Sequence, residues 1–147
     1  MQGTATIRFR ADPGIFGAVR RYVAQFVILA GGSDEDAEEL ELATGEVLAN
    51  AYAHAYRRAH GPVQLDMRCT RQEVEVQIRD EGEGPAGPLS IPSTLPEGNE
   101  HRGLYLVGKL TDRVDIVRPA DERLGTTIRL VKRVDKPLAA QSKLAPP

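Results

Sequence analysis

The sequence predicts an α+β protein: a two-layer sandwich whose mixed, mostly antiparallel sheet carries its helices on one face. Three observations lead there. Apolar and polar residues alternate over residues 4–10, 63–67, 74–78 and 126–130, the period of a half-buried strand. Apolar residues recur at helical spacing over residues 15–27 and again after Ser33. The resulting order, β-α-α-β-β-irregular-α-β-β, lacks the strict alternation of strand and helix that builds a parallel sheet.

Each element has its own reason. Ala5, Ile7 and Phe9 share one face of the first strand, against Thr6, Arg8 and Arg10. Asp12-Pro13 ends it, and proline is accommodated at a helix start. Ile15, Phe16, Val19, Tyr22, Val23, Phe26 and Val27 are then expected to face the core, until Gly31-Gly32 stops the helix. Ser33 reads as an N-cap, with Asp34, Glu35 and Asp36 where the helix dipole favours acids. That second helix is expected to run to about Ala59, before Gly61-Pro62.

Val63, Leu65 and Met67 alternate in the next strand, and Val74, Val76 and Ile78 in the one after a tight turn at residues 70–72. Asp80 keeps the parity of Val74, Val76 and Ile78, so the pleat aims its carboxylate toward the core side. A buried charge there needs a partner. Residues 83–102 carry prolines at 85, 88, 92 and 96 and little regular pattern. An irregular stretch of that length inside a domain is expected to be functional or mobile. Residues 103–110 read as a short helix with Leu104, Val107 and Leu110 inward. Val114 and Ile116 mark a strand, residues 121–125 a turn, and Thr126, Ile128 and Leu130 one face of the last strand. One domain is expected over residues 1–134, with a frayed tail over 135–147.

Composition narrows the function classes. The chain has 147 residues, 41% hydrophobic and 27% charged, with a net charge of −2, and its pI is near 5.9. It therefore has no basic footprint for nucleic acid or an anionic membrane. Its single Cys69 can form neither an internal disulfide nor a cysteine metal cluster, and suits a reducing compartment as a small core residue. No apolar run approaches the roughly 18 residues of a membrane span. These features lead to the expectation of a cytoplasmic protein.

The residues that carry chemistry are few. Glu46 and Asn50 stand at i and i+4 and so project from one helix face. They lie beside the apolar arc of Leu40, Ala43, Val47 and Ala51, on the border between core and cleft. Asn50 offers a neutral oxygen of the kind Mg²⁺ accepts beside substrate phosphates, or else faces solvent. Glu46 can accept a proton from an attacking hydroxyl, or else is an ordinary solvated glutamate. His54 continues that line by a further turn, to order a site or simply to pack. Asp80 can accept a hydrogen bond from the amino group of adenine, and it would repel the carbonyl oxygen that guanine presents there. Thr126, inward like Ile128, can hold the same base or act as a plain β-branched strand residue. Gly82 and Gly84 let the backbone turn and approach a ligand. No Gly-x-x-x-x-Gly-Lys is present, which excludes a P-loop.

Taken together these segments resemble the GHKL-type ATPases of the Bergerat fold. Gly45-Glu46-Val47-Leu48-Ala49-Asn50-Ala51-Tyr52-Ala53-His54-Ala55-Tyr56 is similar to their N box, and Asp80-Glu81-Gly82-Glu83-Gly84 to their first glycine box. Arg102-Gly103-Leu104-Tyr105-Leu106-Val107 resembles the second, and Gly125-Thr126-Thr127-Ile128 the last. Within that superfamily, Glu-x-x-x-Asn-Ala-x-x-His-x-Tyr most resembles the anti-sigma-factor serine/threonine kinases of the RsbW type.

The resemblance implies a kinase that binds ATP and Mg²⁺. It also implies phosphorylation of a serine on a STAS-domain antagonist, and a sigma factor held inactive in a partner-switching pathway. It places Asn50, His54, Asp80, Gly82, Gly84, Arg102, Gly103, Leu104 and Thr126 at the nucleotide, Asn50 at the metal and Glu46 as base. Arg20 falls where these kinases often carry a partner-contacting arginine, and the family implies a homodimer.

His101 departs from the pattern, standing where the second glycine box has its first glycine. That leaves two alternatives beside the kinase. One is an ATP-gated protein-binding module with little or no transfer activity. The other is a detached sensor-kinase domain acting on histidine, against which Ala53 stands where a lysine is usual.

Overall fold

The alternating N-terminal run forms a strand, β1, over Gly3–Arg10, with alternate residues half-buried and exposed. The structure is a computed structural model that describes residues 2–83, 89–98, 102–118 and 125–134. Helix α1, Pro13–Leu29, starts where Asp12 Oδ1 accepts the Gly14 N–H at 2.9 Å. It ends at Gly31, whose φ of 99° few other residues adopt. Helix α2, Asp34–Asn50, opens on a capping box: Ser33 Oγ accepts the Asp36 N–H and Asp36 Oδ2 accepts the Ser33 N–H, both at 3.0 Å. Two donors that the helix leaves without partners are thereby satisfied. Strands β2 (Pro62–Cys69) and β3 (Glu73–Asp80), helix α3 (Arg102–Leu110) and strands β4 (Arg113–Val117) and β5 (Thr126–Arg133) follow in the expected order. Residues 89–98 contain no helix or strand.

The five strands lie in the order β1-β2-β3-β5-β4, and every neighbouring pair is antiparallel. The expected mixed sheet is therefore corrected to a fully antiparallel one among the described residues. Strands β3 and β4 do run in the same direction across α3, but β5 inserts between them. Val63, Leu65, Met67 and Cys69 from β2, Val74, Val76 and Ile78 from β3, and Ile128 and Leu130 from β5 are all 5% exposed or less. They pack against Val23, Val27, Leu40, Val47 and Val107 of the helical layer.

Three expectations need correction. Ile15 and Tyr22 do not face the core; they are 39% and 59% exposed. The α1 face that α2 and the sheet cover is only as wide as Val19, Val23 and Val27, with Phe16 and Phe26 at its margins. The second helix does not continue to Ala59. It stops at Asn50 and passes into a π-helical turn, Ala51–Ala55, after which Arg57 and Arg58 take φ values of 48° and 66°. Two consecutive left-handed residues cost about 1–2 kcal/mol each and end any right-handed helix. Leu110 is half-buried rather than fully inward. The expected tail over 135–147 lies outside the described residues.

The inward face of β5 also extends further than the alternation of Thr126, Ile128 and Leu130. Lys132 shares it and is 5% exposed. Its Nζ donates to Glu39 Oε2 of α2 and, at 3.1 Å, to the carbonyl of Leu110. A lysine is tolerated there because the pairing offsets the cost of removing its charge from water.

Candidate nucleotide site

Asp80 and Thr126 are direct cross-strand partners at the same end of the sheet. The register runs Phe9↔Val63, Val63↔Asp80 and Asp80↔Thr126. Two core-facing residues opposite one another have Cβ atoms about 4.5–5.5 Å apart. Asp80 is 8% exposed and Thr126 5%, as the parity of each strand predicts. Burial pushes the Asp80 carboxyl above its ordinary value. The N–H groups of Gly82 and Thr126 oppose the shift, as does the more distant Arg118. The Gly82 N–H donates to Asp80 Oδ1 at 3.0 Å, so the carboxylate is held from the turn as well as from β5. A groove of about 440 Å³ crosses this end of the sheet; Asp80, Gly125 and Thr126 line it, but so do Arg8, Gln64, Arg79 and Thr127 of the face away from the helices, and no residue of the two later helices does.

The turn after β3 is pressed against the end of the N-box helix. A Cβ at Gly82 would lie 2.3 Å from the Ala55 carbonyl oxygen, far inside any van der Waals contact. Gly82 therefore brings the two segments together, beyond the freedom to turn read from the sequence. Gly125 precedes Thr126 with a φ of 125°, and a Cβ there would lie 2.6 Å from the Asp80 carbonyl oxygen. Gly125 belongs to the last of the four boxes, where spacing alone assigns it no role. Its backbone angle and its contact with Asp80 set how closely the β5 turn approaches.

The other half of the site comes from α2 and α3. Glu46 and Asn50 are both half-buried, at the border between core and cleft. Glu46 points at α3: a Cβ at Gly103 would lie 2.5 Å from Glu46 Oε2. Gly103 thus admits the carboxylate to the first turn of α3, where backbone N–H groups have no intrahelical acceptor. Arg102 is exposed at the first position of that helix. Leu104 is 1% exposed, so its side chain packs inside and only its backbone can face a ligand. Asn50 makes no side-chain capping bond to the turn that follows it, which leaves its amide oxygen for other use.

His54 is not carried along the Glu46–Asn50 line. The π-helical turn has more residues per turn than an α-helix, so His54 falls behind that face and is exposed. Arg20 is half-buried on α1. Its Cδ packs over Gly45, 2.7 Å from where a Cβ would stand, and its Nε is buried with no hydrogen-bond partner among the described residues. Gly84 and His101 lie outside the described residues.

Among the described residues no three His, Cys, Asp or Glu side chains group as metal ligands. Asn50, half-buried and making no side-chain capping bond, offers one neutral oxygen of the kind that Mg²⁺ accepts beside phosphates and water. Among the described residues no helix is long and apolar enough to cross a membrane.

The family model for the histidine kinase-like ATPase domain matches residues 9–132. This chain belongs to that family. The four boxes around Asn50, Asp80, Gly103 and Thr126 all fall within the matched segment. The ATPase-domain chain is also similar to proteins named serine-protein kinase RsbW. It is 28% identical over 138 residues to the one from Bacillus velezensis, covering 86% of this chain and 82% of the relative. With the one from Bacillus subtilis it shares 28% over 134 residues, covering 83% and 80%. With that of Oceanobacillus iheyensis it shares 30% over 118 residues, covering 72% and 73%. The solved structure of the RsbU and RsbW domains of a Mycobacterium tuberculosis protein has the same fold, with a TM-score of 0.66 at 20% identity. That likeness covers 92% of this chain and 33% of the solved one, so this chain matches about a third of the solved chain's length.

Proposed function

We propose that this chain is an ATP-dependent protein-serine kinase that doubles as an anti-sigma factor. Its substrate is a serine on a STAS-domain antagonist, and its other partner is a sigma factor. It acts in the cytoplasm as a homodimer, and residues 1–134 form its kinase domain. The observation that carries the nucleotide assignment is the Asp80–Thr126 pair, a buried carboxylate beside a buried hydroxyl at the end of the sheet. The similarity to RsbW kinases supports the choice of serine as acceptor.

In this reading Asp80 accepts the adenine amino group, and Thr126 holds the base from the neighbouring strand. Gly82 keeps the turn close to α2, and Gly84 continues the same box. The N–H groups at the start of α3, from Arg102, Gly103 and Leu104, meet the phosphates, with the Arg102 guanidinium beside them. Asn50 contributes its amide oxygen to Mg²⁺, which supplies charge neutralisation on the phosphates when bound. Glu46 takes the proton from the attacking serine hydroxyl. His54, exposed on the π-helical turn, borders the site and contacts the nucleotide only from outside. Arg20 contributes to partner contact through the guanidinium end beyond its packed stem.

A second reading is an ATP-gated binding module with little or no transfer. It is favoured by the position of Glu46, whose carboxylate rests against Gly103 and occupies the helix end that a phosphate needs.

One experiment separates the two readings. The full chain is used to capture partners from its source cell with and without Mg-ATP, and the captured proteins are examined for phosphoserine by mass spectrometry. Phosphate on a captured partner's serine that depends on Glu46 supports the kinase. ATP-dependent capture without phosphate favours the module, and capture indifferent to ATP with no phosphoserine refutes both.

A further inference from the structure

The junction between β2 and β3 contains a hydroxyl where a backbone hydrogen bond is missing. In the antiparallel register Val63 opposes Asp80, so the next rung outward would join Pro62 and Glu81. Proline has no N–H for one of that rung's two bonds. In the place of the other, from the Glu81 N–H to the Pro62 carbonyl, stands the Tyr56 hydroxyl. It accepts the Glu81 N–H at 2.6 Å and donates to the Pro62 carbonyl at 2.5 Å. Its ring covers Gly61, where a Cβ would lie 2.1 Å from Cε1, while Ala55, just before it, presses on Gly82. The end of the N-box helix is thus a wedge between the start of β2 and the exit of β3, one residue beyond Asp80.

We propose that Tyr56 is a positioning residue for nucleobase recognition. Its hydroxyl completes the strand ladder next to Asp80 and so sets the angle at which the Asp80 carboxylate meets the base. It also joins the two halves of the site, because it follows the helix that carries Glu46 and Asn50. This inference rests on the reading of Asp80 as the adenine acceptor. The π-helical turn has a purpose in this arrangement: its extra width delivers Tyr56 across the strand ends, with the Tyr56 N–H bonded to the Ala51 carbonyl at 3.0 Å.

Tyr56→Phe keeps the ring over Gly61 and removes only the hydroxyl. Affinities of the full chain for ATP and GTP are measured by titration calorimetry for the parent, Tyr56→Phe, Asp80→Asn and the double variant. Tyr56→Phe is expected to weaken ATP roughly tenfold, the equivalent of one hydrogen bond, and to weaken GTP far less, so the preference for ATP shrinks. In the Asp80→Asn background it should leave the ATP-to-GTP ratio unchanged, since there is no carboxylate left to aim. A purely structural hydroxyl would lower the melting temperature and weaken both nucleotides alike.

If Asp80→Asn abolishes the preference and Tyr56→Phe preserves it within twofold, the Tyr56 proposal falls and the adenine reading stands. If Asp80→Asn itself leaves the preference intact, the adenine reading falls and the proposal with it. Should Tyr56→Phe not fold, amide exchange in the parent decides. A Glu81 N–H protected to the level of the β3 ladder supports the bridge, and one exchanging like an open turn overturns it.

Discussion

Asp80→Asn should separate what is good for the fold from what is good for the ligand. The asparagine carbonyl can still accept the Gly82 N–H now bonded to Oδ1 at 3.0 Å, and the Thr126 N–H, the lesser of the two backbone donors to the carboxyl, can share that oxygen. The carboxyl is raised above its ordinary value in the folded protein, chiefly by burial. It therefore contributes stability below its unfolded value of about 3.9 and loses that contribution as pH rises through the folded value. At pH 7 the ionised group is a net cost that asparagine does not carry, so the nucleotide-free variant should melt at the same temperature or higher. That advantage should vanish as the pH is lowered past the folded value.

Binding should move the other way. A hydrogen bond to a charged acceptor contributes about 1.5–3 kcal/mol, so ATP should bind about 10–150-fold more weakly. At an ATP concentration a hundredfold above the parent's Kd, ligand stabilisation would fall from about 2.7 to about 0.3–1.4 kcal/mol. For a chain of this size the melting shift would shrink from about 10 °C to about 1–6 °C. Thermal denaturation at pH 7 and pH 4, with no nucleotide, Mg-ATP or Mg-GTP, reads all of these quantities. A variant that melts lower without nucleotide yet keeps the full ATP shift would show that Asp80 is only structural.

Other outcomes follow from the same geometry. Glu46→Ala should leave ATP affinity within a few-fold but slow phosphoryl transfer to a captured partner by roughly 10²–10⁴, while Asn50→Ala should weaken the Mg²⁺-dependent part of ATP binding in calorimetry. Gly82→Ala must move backbone, because its Cβ would meet the Ala55 carbonyl at 2.3 Å. A loss of about 1–3 kcal/mol in denaturant unfolding is expected, with weaker ATP binding. Lys132→Met should destabilise the fold by about 1–3 kcal/mol without altering nucleotide preference. It leaves Glu39 and the Leu110 carbonyl without their donor, far from Asp80 in the strand register.

Features that depend on near neighbours in the chain are legible from the order of residues. Alternation placed the strands and put Asp80 and Thr126 on the core side, because the pleat has a period of two whatever packs against it. Spacing of four put Glu46 and Asn50 on one face, since both lie inside regular α-helix. Ser33 announced the start of α2 because capping is a matter of three residues.

The remaining features depend on partners that folding brings together. Ile15 and Tyr22 have helical spacing as good as that of Val19 and Val23, but the width of the packed layer, set by α2 and the sheet, leaves them outside. The helix that looked continuous to Ala59 is broken by a π-helical turn whose reward is non-local: Tyr56 reaches Pro62 and Glu81, and Ala55 meets Gly82. Nothing local marks Lys132 as buried; Glu39 and Leu110 are brought to it from α2 and the end of α3. In each case the deciding energy comes from a partner distant in sequence, and no local period can encode which partner will arrive.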